Sequence, residues 1–300
     1  MSLLAGVHYD PSTAATFATS ALKAMTVLDA TNLTVSFTAP SDGMVVVRER
    51  VVHTGATTYP IILLGLMNHS GGAVVARQAP LGGVNGSAVS STQVQHEALF
   101  SLTGLSGAYS WDMAAAVQVL LASTNLRWGG PNDTTTNNAW GGADLEVYSA
   151  HSLLGSKLYD PGTAASKATT SLLAMTALDT TNLRITFTAP ASGSVLVRMR
   201  GVVHGATTFP QILFGVLDGS TVRARCSPIG AIPATALATT QLALEGQCIV
   251  TGLTPGNSYT WDAAYGVEVV VSSTGLKYGG PNDASGNDAF GGFLYEIWAI

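Results

Sequence analysis

Few residues in this 300-residue chain are of types that do chemistry, and they are scattered. There are six histidines, His8, His53, His69, His96, His151 and His204, and only His53 and His204 fall at comparable places in the two halves. A capped or solvated loop imidazole is the expectation for both. Among the acids that recur along the chain are Asp112 with Asp262, Asp133 with Asp283, and Glu146 with Glu296. Asp262 follows Trp261, and Glu296 sits among Phe293, Tyr295 and Ile297, so these acids read as partners of an arginine or a backbone amide. Glycoside hydrolysis needs two carboxyls facing one sugar, and the spacing offers no such pair. The richest oxygen cluster is the loop Asn132-Asp133-Thr134 with Asn137-Asn138, matched by Asn282-Asp283 with Asn287-Asp288. A hard cation takes about six to eight oxygens, which makes Asp133, Asp283 and Asp288 the calcium candidates. A turn held by side-chain caps is the competing and favoured reading of the same residues. Trp128, Trp140 and Tyr278 flank these loops, where stacking on a sugar and ordinary packing fit equally well.

The familiar catalytic patterns are missing. The chain has no H-E-x-x-H, no G-x-x-x-x-G-K-[ST], no G-x-S-x-G and no C-x-x-C. It therefore reads as non-enzymatic, with no cofactor. Cys226 and Cys248 both lie in the second half, where the first half has Gln78 and Phe100, so no disulfide framework is shared by the two halves. They could face each other on paired strands, or act as two buried free thiols, which is the favoured reading.

Charged residues make up only 10% of the chain and hydrophobic ones 47%, so Ser, Thr, Asn, Gly and Ala must finish most of the surface. Such a surface loses little side-chain entropy when ordered against a neighbour. The net charge of −5 and the absence of a basic run exclude nucleic acid as the expected partner. Apolar runs such as Ile61–Leu66 have strand length, far short of the roughly 20 residues that span a bilayer, so no membrane partner is expected. Met1–Val7 lacks the basic start of a secretory leader.

These residues are carried on a long internal repeat. Tyr9-Asp10-Pro11 returns as Tyr159-Asp160-Pro161, an offset of 159 − 9 = 150, and Gly129-Gly130-Pro131-Asn132-Asp133 returns as Gly279-Gly280-Pro281-Asn282-Asp283 at the same offset. In the middle the offset slips to 251 − 103 = 148, where Thr103-Gly104-Leu105 matches Thr251-Gly252-Leu253. Solenoid units run about 20 to 50 residues, so each copy is a whole domain: residues 1–150 and 151–300, joined near Ser149–Lys157.

Within a copy the pattern is β. Leu33, Val35 and Phe37 alternate with Thr34, Ser36 and Thr38, and Leu183, Ile185 and Phe187 repeat the alternation. Ala39-Pro40-Ser41-Asp42-Gly43 supplies a turn. Further strands are predicted over Met44–Val52, Ile61–Met67, Ala73–Ala79, Gln93–Leu102, Ala108–Leu121 and Leu145–Tyr148. The segment Ala14–Leu28 fits a helical face and an irregular strand alike. The expected fold is all-β, two tandem jelly-roll β-sandwiches.

His8-Tyr9-Asp10-Pro11, followed by Phe37-Thr38-Ala39-Pro40, Gly43 and Val45-Val46-Val47, resembles the front of a C1q/tumour-necrosis-factor-like domain. Ala289-Phe290-Gly291-Gly292-Phe293-Leu294 is similar to that superfamily's last strand, and Trp140-Gly141-Gly142-Ala143-Asp144 is a weaker version in the first copy. The resemblance implies a ten-stranded type of jelly roll that assembles as a homotrimer. The chain lacks the Gly-X-Y stalk of the animal proteins and adds the Gly-Gly-Pro-Asn-Asp loop. Tandem Ala/Thr/Gly-rich domains of this kind also look similar to virion proteins of tailed bacteriophages. A rival likeness, of Thr251–Trp261 to a fibronectin type III strand junction, is opposed by length, since such sandwiches need about 100 residues. The functional expectation is a capsid decoration or stabilising protein on the outer surface of the head, or on the tail, contacting the major capsid protein or other virion subunits. The alternative is a tail-associated or cell-surface adhesin that binds a glycan or receptor.

Overall fold

Strict alternation in Leu33 to Thr38 makes β4 (Thr34–Thr38), whose Val35 and Phe37 are buried while Ser36 and Thr38 face out. The computed structural model describes residues 1–11, 15–18, 24–54, 62–78, 94–117, 125–128, 142–160, 165–168, 174–204, 212–226, 242–267, 275–278 and 292–300. Among the described residues there is no helix. The chain divides into two compact units, on residues 1–150 and 151–300, with Ser101–Thr103 grouped with the second.

In chain order the first unit has β1 (Leu3–Tyr9), β2 (Ala15–Ala18), β3 (Thr26–Val27), then β4, β5 (Val45–Thr54), β6 (Ile62–Asn68), β7 (Val74–Gln78), β8 (Val94–Leu102), β9 (Ala108–Val117), β10 (Asn125–Trp128) and β11 (Ala143–Ser149). The second unit repeats them as β12 (Leu153–Tyr159), β13 (Ala165–Ala168), β14 (Thr176–Ala177), β15 (Arg184–Thr188), β16 (Val195–His204), β17 (Ile212–Asp218), β18 (Thr221–Cys226), β19 (Leu242–Val250), β20 (Ser258–Val267), β21 (Gly275–Tyr278) and β22 (Phe293–Ala299).

The pairings reduce these pieces to rows. One edge of β5 carries β11 along Val45–Val51 and β10 at His53–Thr54, so β10 and β11 form one interrupted row. β1 lies against β11 and β2 against β10, which makes them a second interrupted row. β8 takes the other edge of β5. In the facing sheet, β3 and β4 share one edge of β9, β6 takes the other, and β7 closes the sheet. Numbered by chain order, the eight rows are ordered 1-8-3-6 in one sheet and 2-7-4-5 in the other. The first row therefore pairs with the last, the second with the seventh, the third with the sixth and the fourth with the fifth. This is one long antiparallel hairpin rolled up on itself, the double Greek key of a jelly roll. The second unit has the same order.

The inner faces bury each other. In the second unit Val195, Val197, Met199 and Val203 of β16 pack with Phe187, Phe214, Trp261, Phe293 and Ile297. Phe187 meets Trp261 edge-on at 4.9 Å between centroids, and Phe37 meets Trp111 the same way at 4.8 Å.

The predicted strands match the observed ones to within a few residues. Ala14–Leu28 holds the short strands β2 and β3 and no helical turn among the described residues. The joint is shorter than Ser149–Lys157: β12 starts at Leu153, so Gly155 belongs to a strand and pairs with Ile297. The turn before β5 closes by Gly43 N–H donating to Pro40 O at 2.8 Å, with Gly43 at φ 66° and its counterpart Gly193 at φ 63°. A Cβ on either would also strike a backbone carbonyl, of Leu105 or Leu253. Gly43→Ala and Gly193→Ala should each cost about 2 kcal/mol or more. Chemical denaturation of the two variants reads that loss directly.

Candidate functional site

The recurrent carboxylates are spent on neighbouring strands. Asp112 of β9 lies directly across from Thr34 of β4, accepts its hydroxyl at 2.6 Å and bonds His69 Nδ1 at 2.8 Å. In the second unit Asp262 lies across from Arg184 and receives both arms of its guanidinium, at 2.7 and 2.8 Å. Glu146 faces Arg48 and accepts its Nε–H at 2.6 Å, and Glu296 faces Arg198 in the same way. Cross-strand pairs of opposite charge stabilise a sheet, and this use leaves the four acids on separate strands. Asp133, Asp283 and Asp288 fall outside the described residues, as does Trp140. Trp128 and Tyr278 are each 1% exposed. Trp128 packs 6.1 Å from Tyr9, and Tyr278 donates its hydroxyl to Leu178 O at 3.0 Å. Neither ring has a face free to stack on a sugar.

The structure brings together a different set. On β5 the inward positions are Val45, Val47, Glu49, Val51 and His53, all buried. β8 adds His96 and β7 adds Gln78, both with no exposed surface. His53 is thus a buried strand residue and not a capped or solvated loop histidine. Its Nδ1 lies 3.1 Å from His96 Nδ1. One imidazole must donate and the other accept across this contact. Burial pushes His53 well below its ordinary value, with His96 adding to the shift, and burial holds His96 down at about 4. Burial also lifts the Glu49 carboxyl well above the usual range. Both Glu49 oxygens, both polar ends of Gln78 and Nε2 of His53 are buried without a hydrogen-bond partner among the described residues.

The second unit carries the apolar version of this cluster. The matching positions are Met199 (49 + 150), Val203 (53 + 150), Cys226 (78 + 148) and Leu244 (96 + 148). The registers agree, since Leu64 pairs with Gln78 and Phe214 with Cys226. The sequence signal is parity. Arg48-Glu49-Arg50 reads as a solvated run, but Glu49 shares its face with Val47 and Val51, while the two arginines point the other way.

Chemically the cluster is a set of buried polar groups whose proton affinities burial shifts towards their neutral forms. Two nitrogens 3.1 Å apart approximate one edge of a tetrahedral zinc polyhedron. Glu49 does not join them as a third ligand, because it stands four residues from His53 on one strand, about 13 Å away. No three of His, Cys, Asp or Glu could share a metal ion among the described residues. A general base is useful with a pKa near working pH, and His96 is held far below it.

No protein-family model matches the chain, and no curated protein matches it significantly. Among solved structures it is similar to a peptide-N(4)-(N-acetyl-β-D-glucosaminyl) asparagine amidase, at 11% identity and TM-score 0.35 over 98% of this chain and 96% of that one. It is similar to the tandem CBM22-1–CBM22-2 domains of Paenibacillus barcinonensis Xyn10C, at 11% identity and TM-score 0.24 over 98% and 93%. A third likeness is to infectious bursal disease virus Gx strain, at 8% identity and TM-score 0.26 over 100% and 74%. Likenesses this shallow carry no argument about what the chain binds.

The shifted histidines should make the first unit sensitive to acid. An unfolded histidine takes up its proton below about 6.5, whereas folded His96 does so only near 4, so stability is lost as pH falls through that window. His96 alone accounts for about 3 kcal/mol at about 1.4 kcal/mol per unit, and His53 adds to it. Glu49 acts the other way: folded it keeps a proton that the unfolded chain gives up above about 4.5, a cost at neutral pH that shrinks on acidification. Two histidines outweigh one glutamate, so the first unit should lose stability between pH 6.5 and 4.5. Placing the second unit's residues in the first, as His53→Val with His96→Leu, should flatten that loss, and Glu49→Met should raise stability at pH 7. Calorimetry across the range checks all three, and a wild-type profile flat from pH 7 to 5 contradicts the account.

Proposed function

We propose that this chain is a non-enzymatic structural protein of a virus particle, in its most concrete form a decoration protein that reinforces the capsid of a tailed bacteriophage. The observation that carries the reading is the in-register use of Asp112, Asp262, Glu146 and Glu296. In both units these acids hold neighbouring strands together. Charged residues of all kinds are scarce, at 10% of the chain. A surface of small neutral side chains buries against other subunits with little desolvation or entropy cost, and added contact area resists expansion of a shell.

The C1q/tumour-necrosis-factor-like resemblance of the sequence supplies the assembly: a homotrimer, presenting six jelly rolls, seated on the major capsid protein or another virion subunit on the outside of the head or on the tail. Burial of Trp128 and Tyr278 removes two of the three aromatics that favoured a glycan-binding adhesin.

Light scattering on the purified chain at micromolar concentration should give three times the chain mass. A stable monomer overturns the assembly. A glycan array should stay blank, and binding that is lost in Trp140→Ala would move the function to adhesion.

A further inference from the structure

The second unit differs from the first at one further place that the proposed function does not use. β18 and β19 are edge strands of opposite sheets: Cys226 pairs with Phe214 in one sheet, and Cys248 pairs with Val197 in the other. The two side chains meet between these two edge strands. Both are free and half-buried, and the thiols are hydrogen-bonded to each other. Gly246, two residues before Cys248, leaves the room for this, since a Cβ there would stand 3.1 Å from Cys226 Sγ. The first unit has Gln78 and Phe100 at these positions.

We infer that Cys226 and Cys248 form a modification site, a dithiol that a small oxidised disulfide such as oxidised glutathione converts into an intrachain disulfide stapling the two sheets of the second unit together. Exchange proceeds by attack of a thiolate on a disulfide sulfur. The Cys226 thiolate attacks one sulfur of the reagent, forming a mixed disulfide and expelling the first glutathione thiolate. The Cys248 thiolate then attacks Cys226 Sγ and expels the second. The two cysteines lose two electrons and two protons, and the reagent gains both as two thiols. The hydrogen bond between the two thiols holds Cys226 below its ordinary value and, with burial, raises Cys248, which favours Cys226 as the first to attack. The bond ties together the ends of the connection between β18 and β19, a segment of the kind whose closure restricts the unfolded chain.

The test is incubation of the native full-length chain with oxidised glutathione at pH 8, followed by intact mass and thiol titration after denaturation. The expected product has lost two hydrogens and both thiols, retains no glutathione, runs as one chain on a non-reducing gel, and unfolds about 5 °C or more above the reduced form. Cys226→Ser and Cys248→Ser should each stop at a single glutathione adduct and show no rise in midpoint. Wild-type chain alkylated at both thiols before oxidation gives the same control without a substitution. Two retained glutathiones, chain-to-chain crosslinking or two surviving thiols would each overturn the inference, as would a disulfide that leaves the midpoint unchanged. None of these outcomes bears on trimer formation, which light scattering reads separately.

Discussion

Each unit depends on one strand. β5 and β16 are ten residues long and are paired along both edges, so their backbone polar groups are satisfied by three partner strands while their inward side chains run the length of the core. In β16 those inward positions are Val195, Val197, Met199, Gly201 and Val203, and the facing sheet packs on them. In β5 two of the same positions are Glu49 and His53. Pairing fixes the pleat, and the pleat fixes which side chains lose water, so the polar residues of β5 are buried by register and not by their own preference. The cost falls as shifted proton affinities at Glu49, His53 and His96, positions that are apolar in the second unit.

The two copies thus serve as controls for each other. They share the turn at Gly43 and Gly193, the Phe–Trp edge contact and the cross-strand acid pairs, which marks these features as what the fold requires. They differ at the Glu49, His53, Gln78 and His96 positions and at the outward partner of the β9 and β20 aspartates. There Thr34 and His69 do in the first unit what Arg184 does in the second. A core that tolerates both an imidazole pair and a Val–Leu pair is constrained in shape more tightly than in polarity.

Alternation made most of the strands legible in the sequence, because a half-buried strand writes its burial into every second residue. What escaped detection had no such pattern. β10 has four residues, too few for a period, and the joint looked longer than it is because Leu153-Leu154-Gly155-Ser156 does not alternate cleanly. The recurrent acids were readable as paired residues, since each sits among aromatic and β-branched neighbours. The His53–His96 contact was not, because it joins two strands whose pairing register no local signal states. Glu49 was hidden by its arginine neighbours, whose charge suggests solvent until parity with Val47 and Val51 is counted.

The rolled-hairpin order has an evolutionary corollary. Since the first row lies beside the last, Leu3 stands across from Tyr148 and Leu153 across from Trp298, so each sandwich starts and stops at neighbouring points on one sheet. A body with its two ends side by side can be duplicated head to tail without rethreading any strand, and the short span from Ser149 to Leu153 is then bridge enough. The tandem repeat is a natural product of this topology, and it leaves the two copies free to differ at single core positions, as Glu49 does from Met199 and Gln78 from Cys226.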